Sequence, residues 1–209
     1  MANANSPHGL RPVRHRDGRP YNGAANRYWV PSGDSSALFL GDPVINKTDA
    51  TGGGSDPVFG YQRATIGSTA VGNYLIGAVI GTVPATRDST VYRAASENRV
   101  TVGSTTGCFV LVADDPDILF EVMLDSTWSS TYVGLNMQVY PLASGSTATG
   151  WSGYAGSVSS IASTSTLHMR IVAVQPRDTD NSINPTSSSS YCRVLAAINL
   201  HQHRNVAGG

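Results

Sequence analysis

The sequence predicts an all-β protein: an antiparallel β-sandwich or barrel, jelly-roll-like, with an extended N-terminal arm and little helix. From residue 25 onward, short runs of β-branched and aromatic residues are separated by clusters of Gly, Pro, Asp and Ser. This is the pattern of antiparallel strands joined by turns. We therefore expect one β-rich domain over residues 25–209, with long polar loops at residues 143–166 and 176–190, preceded by an arm over residues 1–24.

Eleven segments are candidate strands because each is a short apolar run bounded by turn-forming residues. They cover residues 26–30, 37–40, 58–65, 74–83, 90–93, 99–102, 108–113, 118–124, 135–140, 167–175 and 191–202. Helix is limited to a turn or two around residues 126–133, where Asp125 or Ser126 could be the N-cap. In the first polar loop, Trp151 and Tyr154 predict docking on a surface, either its own or a partner's.

The first 24 residues are rich in Pro and Gly and too poor in apolar residues to form a core of their own. The chain has 14 basic and 14 acidic residues in total, but its first 31 residues are net basic. This asymmetry predicts an arm that reaches onto an acidic surface of a neighbouring subunit. The arginines concerned are Arg11, Arg14, Arg16, Arg19 and Arg27, opposed by Asp17. Because no aromatic platforms alternate with them, direct DNA contact is a minor alternative.

Charged residues make up only 13% of the chain, about half the roughly 25% of an average soluble protein. Instead the sequence contains 25 Ser, 18 Thr and 22 Gly. Such small side chains lose little entropy when ordered, whereas Lys and Glu resist desolvation at interface cores. The composition therefore indicates either a surface made for close contact with neighbouring subunits or a β-sandwich with many exposed Thr and Ser residues.

Targeting features are absent from the sequence, which predicts a chain made and kept in a cytoplasm. Residues 1–6 lack the basic and apolar regions of a signal peptide, and no apolar run approaches the 18 residues of a membrane span. Cys108 and Cys192 lie in apolar, strand-like segments. In a reducing compartment we expect buried free thiols there and no disulfide.

Two groups of residues are weak candidates for metal binding. Asp114, Asp115 and Asp117 could bind a hard cation such as Ca²⁺, but Asp-Pro-Asp between apolar runs is also good turn chemistry. These carboxylates could alternatively receive arginines from a neighbouring arm. His201 and His203 alternate on one face of a terminal strand and could hold Zn²⁺ with a third ligand. We predict a turn and a partly exposed strand end, with no metal and no cofactor.

The sequence shows no convincing catalytic constellation. There is no good case of a Gly-x-Ser-x-Gly elbow or of a Cys near a His, and the glycine run 52–54 lacks the Lys of a phosphate-binding loop. Glu121 lies in the apolar run ILFEVM. Strand alternation places it opposite Phe120 and Val122, so a solvent-facing or arginine-paired carboxylate is expected. We therefore expect a protein that is not an enzyme.

Six segments, in this order, resemble a family of small virion structural proteins of tailed bacteriophages. They are SPHGLRPVRH at 6–15, PSGDSSALFLGDPV at 31–44, ADDPDILFEV at 113–122, VGLN at 133–136, LHMRIVAVQ at 167–175 and NLHQH at 199–203. The resemblance implies a decoration or cement-like subunit of the phage head that binds the major capsid protein as a homo-oligomer. It implies a virion location after assembly in the host bacterial cytoplasm, and no catalytic residues.

The residues predicted to contact the partner are arginines of the arm and aromatic residues of the first loop. They are Arg11, Arg14, Arg16, Arg19, Trp151 and Tyr154. A second hypothesis is a carbohydrate-binding or adhesion module of a phage tail or fibre, in which Trp128, Trp151 and Tyr154 stack on sugars. A third is a jelly-roll hydrolase with a metal on His201 and His203, which lacks further ligands.

Overall fold

The computed structural model describes residues 3–30, 37–46, 61–66, 72–83, 99–100, 108–175 and 190–205. It confirms the all-β class, because most of the regular secondary structure lies in two main antiparallel sheets. The strands are β1 Arg11–His15, β2 Asn26–Val30, β3 Leu38–Phe39, β4 Pro43–Asn46, β5 Ala64–Ile66, β6 Gly77–Val83, β7 Arg99–Val100, β8 Cys108–Ala113, β9 Ile118–Met123, β10 Asn136–Pro141, β11 Tyr154–Ala162, β12 Met169–Val174 and β13 Arg193–Ile198. A short helix, α1 Gln202–Asn205, follows β13.

The larger sheet has six strands in the order β1-β9-β13-β12-β10-β11. The start of β11 returns to the end of β9, where Leu124 forms an isolated parallel bridge with Gly156. The sheet therefore curls toward a barrel. Alternate side chains point inward, as strand geometry requires, and form the larger core. Among them are Phe120, Val122, Met137, Val139, Met169, Ile171, Val194 and Ile198.

The smaller sheet has five strands in the order β2-β8-β6-β4-β5. Its buried side chains form a second core, which includes Tyr28, Val30, Val44, Ile76, Val110 and Val112. Ala78 and Ala113 belong to this sheet but are part of the larger core, so the two cores lie side by side. A separate two-stranded ribbon pairs β3 with β7.

Residues 10–15 are integrated into the β-domain, and the structure therefore does not confirm a separate N-terminal arm. Leu10 is 1% exposed and belongs to the larger core. Strand β1 pairs antiparallel with β9 at the edge of the larger sheet. Pro12 is tolerated there because an edge strand has one side that does not need to donate hydrogen bonds. The backbone then folds back, and Tyr21 N donates to Val13 O at 3.0 Å.

The polar loop predicted at residues 143–166 is corrected over its second half, where the nine-residue strand β11 pairs with β10. Its sequence, YAGSVSSIA, has too few apolar residues to show a clear alternation. Gly156 faces the core, and a Cβ there would lie 2.7 Å from Met137 Sδ. Small residues are therefore required where β11 crosses the core. Residues 144–153 remain irregular.

The helix predicted around residues 126–133 is reduced to a 3-10 turn at Ser130–Tyr132. Its N-cap is Ser129, in place of the two residues predicted, because the Ser129 hydroxyl accepts from the second residue of the turn at 3.3 Å. Asp125 instead accepts a hydrogen bond from Val158 N at 2.9 Å. This carboxylate thus joins the turn region to β11.

Cys192 is a buried free thiol, as predicted, and burial raises its pKa. Several sequence predictions fall on residues that the structure does not describe. These are the strand at residues 90–93, residues 176–189 of the second polar loop, and the side chain of Cys108.

Candidate partner-binding site

Three segments that are distant in the sequence meet beside the edge strand β1. They are residues 7–11, 39–42 and 144–154. Leu10 N donates to Gly41 O at 2.8 Å, which joins the first segment to the second. Ser152 N donates to Leu40 O at 2.9 Å, which joins the second to the third. Backbone hydrogen bonds thus fix all three segments in one surface region.

Two glycines allow the backbones of the first two segments to touch. Gly9 and Gly41 have φ values of +71° and +88°, which L side chains rarely adopt. A Cβ on Gly9 would lie 2.1 Å from Gly41 O, and a Cβ on Gly41 would lie 2.2 Å from His8 O. Neither position has room for a side chain. The backbone of His8–Gly9 therefore crosses the backbone of Gly41–Asp42 at close contact.

Asp42 lies at this crossing and is 2% exposed. Its carboxylate accepts hydrogen bonds from Phe39 N at 2.8 Å and from the Ser152 side chain. Burial removes water from the charged form and raises the pKa of Asp42 to about 6, although both hydrogen bonds oppose the shift. Tyr154 lies nearby, and burial followed by the charge of Asp42 raises its pKa to about 12.

A cleft opens above this floor, and the larger of its two compartments is lined mainly by polar residues and has a volume of about 460 Å³. We call it the polar compartment. Side chains that line it include His8, Arg11, Ser144, Ser146, Thr149 and Trp151. The loop that presents the hydroxyls is held by its own hydrogen bonds, such as Thr149 N to Ser146 Oγ at 3.2 Å. No carboxylate is among the described residues that line this compartment. Its electrostatic character is therefore set by Arg11.

The smaller compartment is apolar and has a volume of about 190 Å³. Its apolar walls come from Leu10, Pro12, Tyr21, Leu40, Val79 and Ile80. Arg11 and Trp151 line both compartments, so they stand at the boundary between them. We call the whole feature the two-part cleft. Arg11 is exposed, and Trp151 keeps 41% of its surface accessible, which leaves both free to contact another molecule.

His8 connects the cleft to the larger sheet. Its Nε2 atom lies 3.2 Å from Oε1 of Glu121, whose side chain is fully buried. The solvent-facing position predicted for Glu121 is therefore wrong. Alternation does place it opposite Phe120, but that face of β9 is covered too, and Leu119 on the same face is 3% exposed.

Ser152 and His8 do not form a nucleophile and base pair in the described structure. The Ser152 side chain is engaged with Asp42. Of the His8 ring nitrogens, Nδ1 lies 3.1 Å from Gly9 O, whereas Nε2 faces Glu121 Oε1 without forming a hydrogen bond in the described structure. The arrangement is suited to holding the cleft floor in place.

Arg11 and Trp151 are the two predicted partner-binding residues that the structure brings to the two-part cleft. Tyr154 is 6% exposed, and its carbonyl oxygen accepts a hydrogen bond from Gly9 N of the floor at 3.1 Å. The structure therefore keeps Tyr154 in the site but away from its open face.

The other three predicted arginines lie away from the cleft. Arg14 lines a separate cavity of about 420 Å³ against β12 and β13. Arg16 is exposed. Arg19 pairs with Asp17 across a turn, with Nε and Oδ2 2.6 Å apart. The structure therefore does not gather the arginines of the N-terminal segment into one basic surface.

The three clustered carboxylates have separate structural roles. Asp114 is buried and accepts a hydrogen bond from the Tyr28 hydroxyl at 2.7 Å. Asp115 accepts from Asp117 N at 2.8 Å, which is an Asx turn and confirms the turn interpretation. Asp117 pairs with Arg204 of the same chain. The arginine that reaches this cluster thus comes from α1.

His201 and His203 do not lie together on an exposed strand face, as the sequence predicted. His201 is 0% exposed, and its Nδ1 accepts from His203 N at 3.1 Å. His203 is exposed in α1. Burial and then the neighbouring His203 lower the pKa of His201 to about 4. In the part of the chain that the structure describes, no group of three His, Cys, Asp or Glu residues could hold a metal ion.

Sequence reasoning did not single out the residues that form the floor of the cleft. These are His8, Gly9, Gly41, Asp42 and Ser152. Four of them lie in PHGLRP and GDPV, two of the motifs on which the resemblance to virion proteins rests. The motifs were the available signal. Their contact was not predictable, because it depends on how the two sheets bring distant turns together.

The fold and the site define an all-β protein with an open, two-part surface cleft. No protein-family model, curated protein or solved structure matches the chain. None of the described helical elements has the length and apolar character needed to cross a membrane. The functional proposal therefore rests on the site and on the sequence motifs.

Proposed function

We propose that this chain is a non-enzymatic virion structural protein of a tailed bacteriophage, a capsid decoration or cement subunit that binds the lattice of the major capsid protein. The resemblance of six segments to small virion structural proteins supports the proposal. Three of those segments supply His8, Asp42 and Glu121, which lie at the cleft floor or bond to it. The motifs and the geometry therefore point to the same part of the molecule.

The observation that carries the proposal is that Arg11 and Trp151 both line the two compartments of one cleft. Arginine and tryptophan are enriched among the residues that contribute most to protein interfaces. Here they stand on a chain in which only 13% of residues are charged. Small hydroxyl side chains around them, such as Ser144 and Thr149, can both donate and accept hydrogen bonds to a partner. This surface is suited to close contact with another protein.

A cement subunit works by adding contacts that must break before the shell opens. Many copies on a repeating lattice multiply modest interfaces, so each contact need not be large. The added subunit stabilises the head because it binds the assembled lattice in preference to free capsid subunits. A contact to Arg11 should weaken with salt, whereas burial of Trp151 should be far less sensitive.

The test follows DNA release from heads assembled without this protein, heated at low and at high ionic strength. We expect normal head geometry but loss of DNA at lower temperature, and re-addition of the protein should restore the release curve of complete heads. Re-addition of the double variant Arg11→Gln, Trp151→Ser should not restore it. Arg170→Gln, which removes an exposed arginine on β12, should restore it fully. Identical release curves with and without the protein would contradict the proposal.

A carbohydrate-binding role on a phage tail or fibre is the second candidate, and one observation favours it. Trp151 is exposed beside the hydroxyls of Ser146 and Thr149, which is a usual arrangement for stacking on a sugar. The other aromatic residues predicted for this role are less available. Tyr154 is buried, and Trp128 is half-buried against Tyr132, with ring centroids 5.8 Å apart.

Binding to host polysaccharide, measured beside binding to heads that lack the protein, separates the two candidates. The decoration role requires binding to heads. Binding to polysaccharide alone would favour the adhesion role. Trp151→Ser should abolish most of the binding to whichever ligand is correct. The two candidates are therefore separated by comparing heads with polysaccharide and not by this variant.

A further inference from the structure

We propose that the two-part cleft binds an extended peptide segment of the capsid partner through an acidic side chain and an apolar side chain two residues away. The carboxylate pairs with Arg11 in the polar compartment, and the apolar side chain enters the apolar compartment. This inference rests on the proposed function, because it names the part of the partner that the cleft would take.

The preference for an acid follows from charge complementarity. The described lining of the polar compartment contains Arg11 and His8 and no carboxylate. Among the described residues, no carboxylate forms an ion pair with Arg11 either, whereas Arg19 and Arg204 each pair with an aspartate. A guanidinium presents a planar set of donors that can bind a carboxylate at two points. An acidic side chain of the partner would supply the ion pair that Arg11 lacks.

The hydroxyl groups of the same compartment add hydrogen-bonding capacity without adding charge. Ser144, Ser146 and Thr149 line the side of the cleft that also includes Trp151. A hydroxyl can both donate and accept, so these residues can bind the peptide carbonyl and amide groups that flank the acid. An extended segment exposes such groups all along its length, and this favours a peptide over a small anion.

The apolar compartment is of a size to hold one side chain. Its volume of about 190 Å³ lies below the roughly 300–1,000 Å³ of small-molecule pockets. Leu40 and Ile80, each partly exposed, leave an apolar surface open to a ligand. A Leu, Ile or Val side chain that packs there would bury this surface, and Trp151 would cover one flank of it.

The spacing of the two side chains follows from the way the compartments join. Arg11 and Trp151 line both of them, so the compartments are adjacent. In an extended chain, residues i and i+2 point to the same side and lie about 6.5–7 Å apart. A segment of the form acid-x-apolar can therefore place one side chain in each compartment.

The experiment is calorimetric titration of the full chain with three short peptides, acetylated and amidated so that no terminal charge contributes. They share one Ser- and Gly-rich sequence and carry Asp-x-Leu, Asn-x-Leu or Asp-x-Ser at the centre. We expect the Asp-x-Leu peptide to bind about tenfold or more tightly than either of the others, since a charge-assisted hydrogen bond and the burial of a Leu side chain are each worth that much. Arg11→Gln should remove the preference for Asp over Asn, and Arg170→Gln should leave it unchanged.

Equal binding of the Asp-x-Leu and Asn-x-Leu peptides would overturn the inference, and so would binding of neutral oligosaccharides without any acid-dependent peptide binding. Melting curves of each variant exclude loss of fold as the cause. Binding to heads, measured in parallel, separates this inference from the proposed function. If heads bind and the peptides do not, the peptide assignment fails and the decoration role stands. If the Asp-x-Leu peptide binds and heads do not, the decoration role fails and the chemical preference of the cleft stands.

Discussion

At the scale of single residues, burial shifts the pKa values of an acid and a base in opposite directions. Asp42 is buried at the cleft floor with a pKa raised to about 6. His201 is buried near the C-terminal end of the chain with a pKa lowered to about 4. Both shifts disfavour the charged form, because a charge loses its hydration inside the protein. The two groups therefore give the stability of the fold opposing pH dependences between pH 4 and 6.

The contribution of Asp42 can be isolated with Asp42→Asn. The carboxyl has a pKa of about 6 in the folded protein and its ordinary value of 3.8 in the unfolded chain. Its contribution to stability is therefore fully present below pH 3.8 and is lost as pH rises through 6. The variant keeps an oxygen that can accept from Phe39 N and does not titrate. Relative to the wild type, it should gain on the order of 3 kcal/mol of unfolding free energy between pH 4 and 7.

The measurement is urea denaturation of both proteins at several pH values across this range. Ser152 and Tyr154, which interact with Asp42, do not titrate there. The contributions of other groups, including His8, are common to both proteins and cancel in the comparison. Curves of unfolding free energy that run parallel from pH 4 to 7 would show that Asp42 is hydrated, and so would place it outside the cleft floor.

A second prediction at the residue scale concerns the backbone crossing of the cleft. Gly41 and Gly134 have nearly the same φ, +88° and +87°, but a Cβ on Gly41 would lie 2.2 Å from His8 O, whereas a Cβ on Gly134 would meet nothing within 4 Å. Gly134→Ala should cost about 1–2 kcal/mol for the backbone conformation alone. Gly41→Ala should cost clearly more, because the two backbones must separate.

Thermal unfolding of the two alanine variants measures this difference. The comparison is internally controlled, since the strain from φ is common to both. Equal melting temperatures for Gly41→Ala and Gly134→Ala would mean that residues 7–11 do not lie against residues 39–42.

At the scale of secondary structure elements, the sequence predicted most of the strands that are rich in apolar residues and missed β1, β4 and β11. Strands β2 and β8 have the predicted bounds, because NRYWV and CFVLVA are short apolar runs between turns. Strand β1, RPVRH, contains one apolar residue, and its pairing depends on the edge of β9 that does not pair with β13. Strand β11 is rich in Ser and Gly, so its alternation does not appear in hydropathy.

The integration of β1 gives a prediction opposite to that for a detached arm. Removal of residues 1–15 should lower the melting temperature markedly, because it takes Leu10 from the core and uncovers the edge of β9. Leu10→Ala alone should cost about 2–5 kcal/mol, the usual range for a buried leucine. Arg16→Ala, at an exposed position of the same region, should change stability by less than about 0.5 kcal/mol.

Urea denaturation of the truncated chain and of the two point variants tests this directly. If the truncated protein unfolds at the same urea concentration as the full chain, residues 1–15 are not part of the β-domain. The sequence-based prediction of an arm would then be correct.

At the scale of the whole molecule, composition and motifs identified the chemistry of the site but not its assembly. Arg11 was predicted from the net basic charge of the N-terminal segment, and Trp151 from its place in a polar loop. Their position in one cleft depends on long-range contacts, such as Leu10 N to Gly41 O and Ser152 N to Leu40 O. Contacts of this kind are set by sheet order, which local patterns do not encode. Tyr154 was also predicted to contact the partner, but it is buried, because residue type does not reveal burial.

Local geometry explains why the candidate metal ligands have separate structural roles. Asp115 and Asp117 belong to a tight turn between β8 and β9, where turn geometry engages their backbone and side-chain groups. His201 precedes α1 and is buried against the sheets, whereas His203 is exposed. A spacing of two residues predicts a shared face only if the strand continues, and here β13 ends at Ile198.

The most direct test of the central claim, that the two-part cleft is the surface through which this protein binds the capsid, is quantitative co-sedimentation with heads that lack it. Wild type and Arg170→Gln should saturate at the same number of copies per head with the same affinity. Arg11→Gln and Trp151→Ser should each weaken binding by about tenfold or more, which corresponds to the loss of one strong interface contact. Equal binding of all four proteins, or no binding by any of them, would contradict the account.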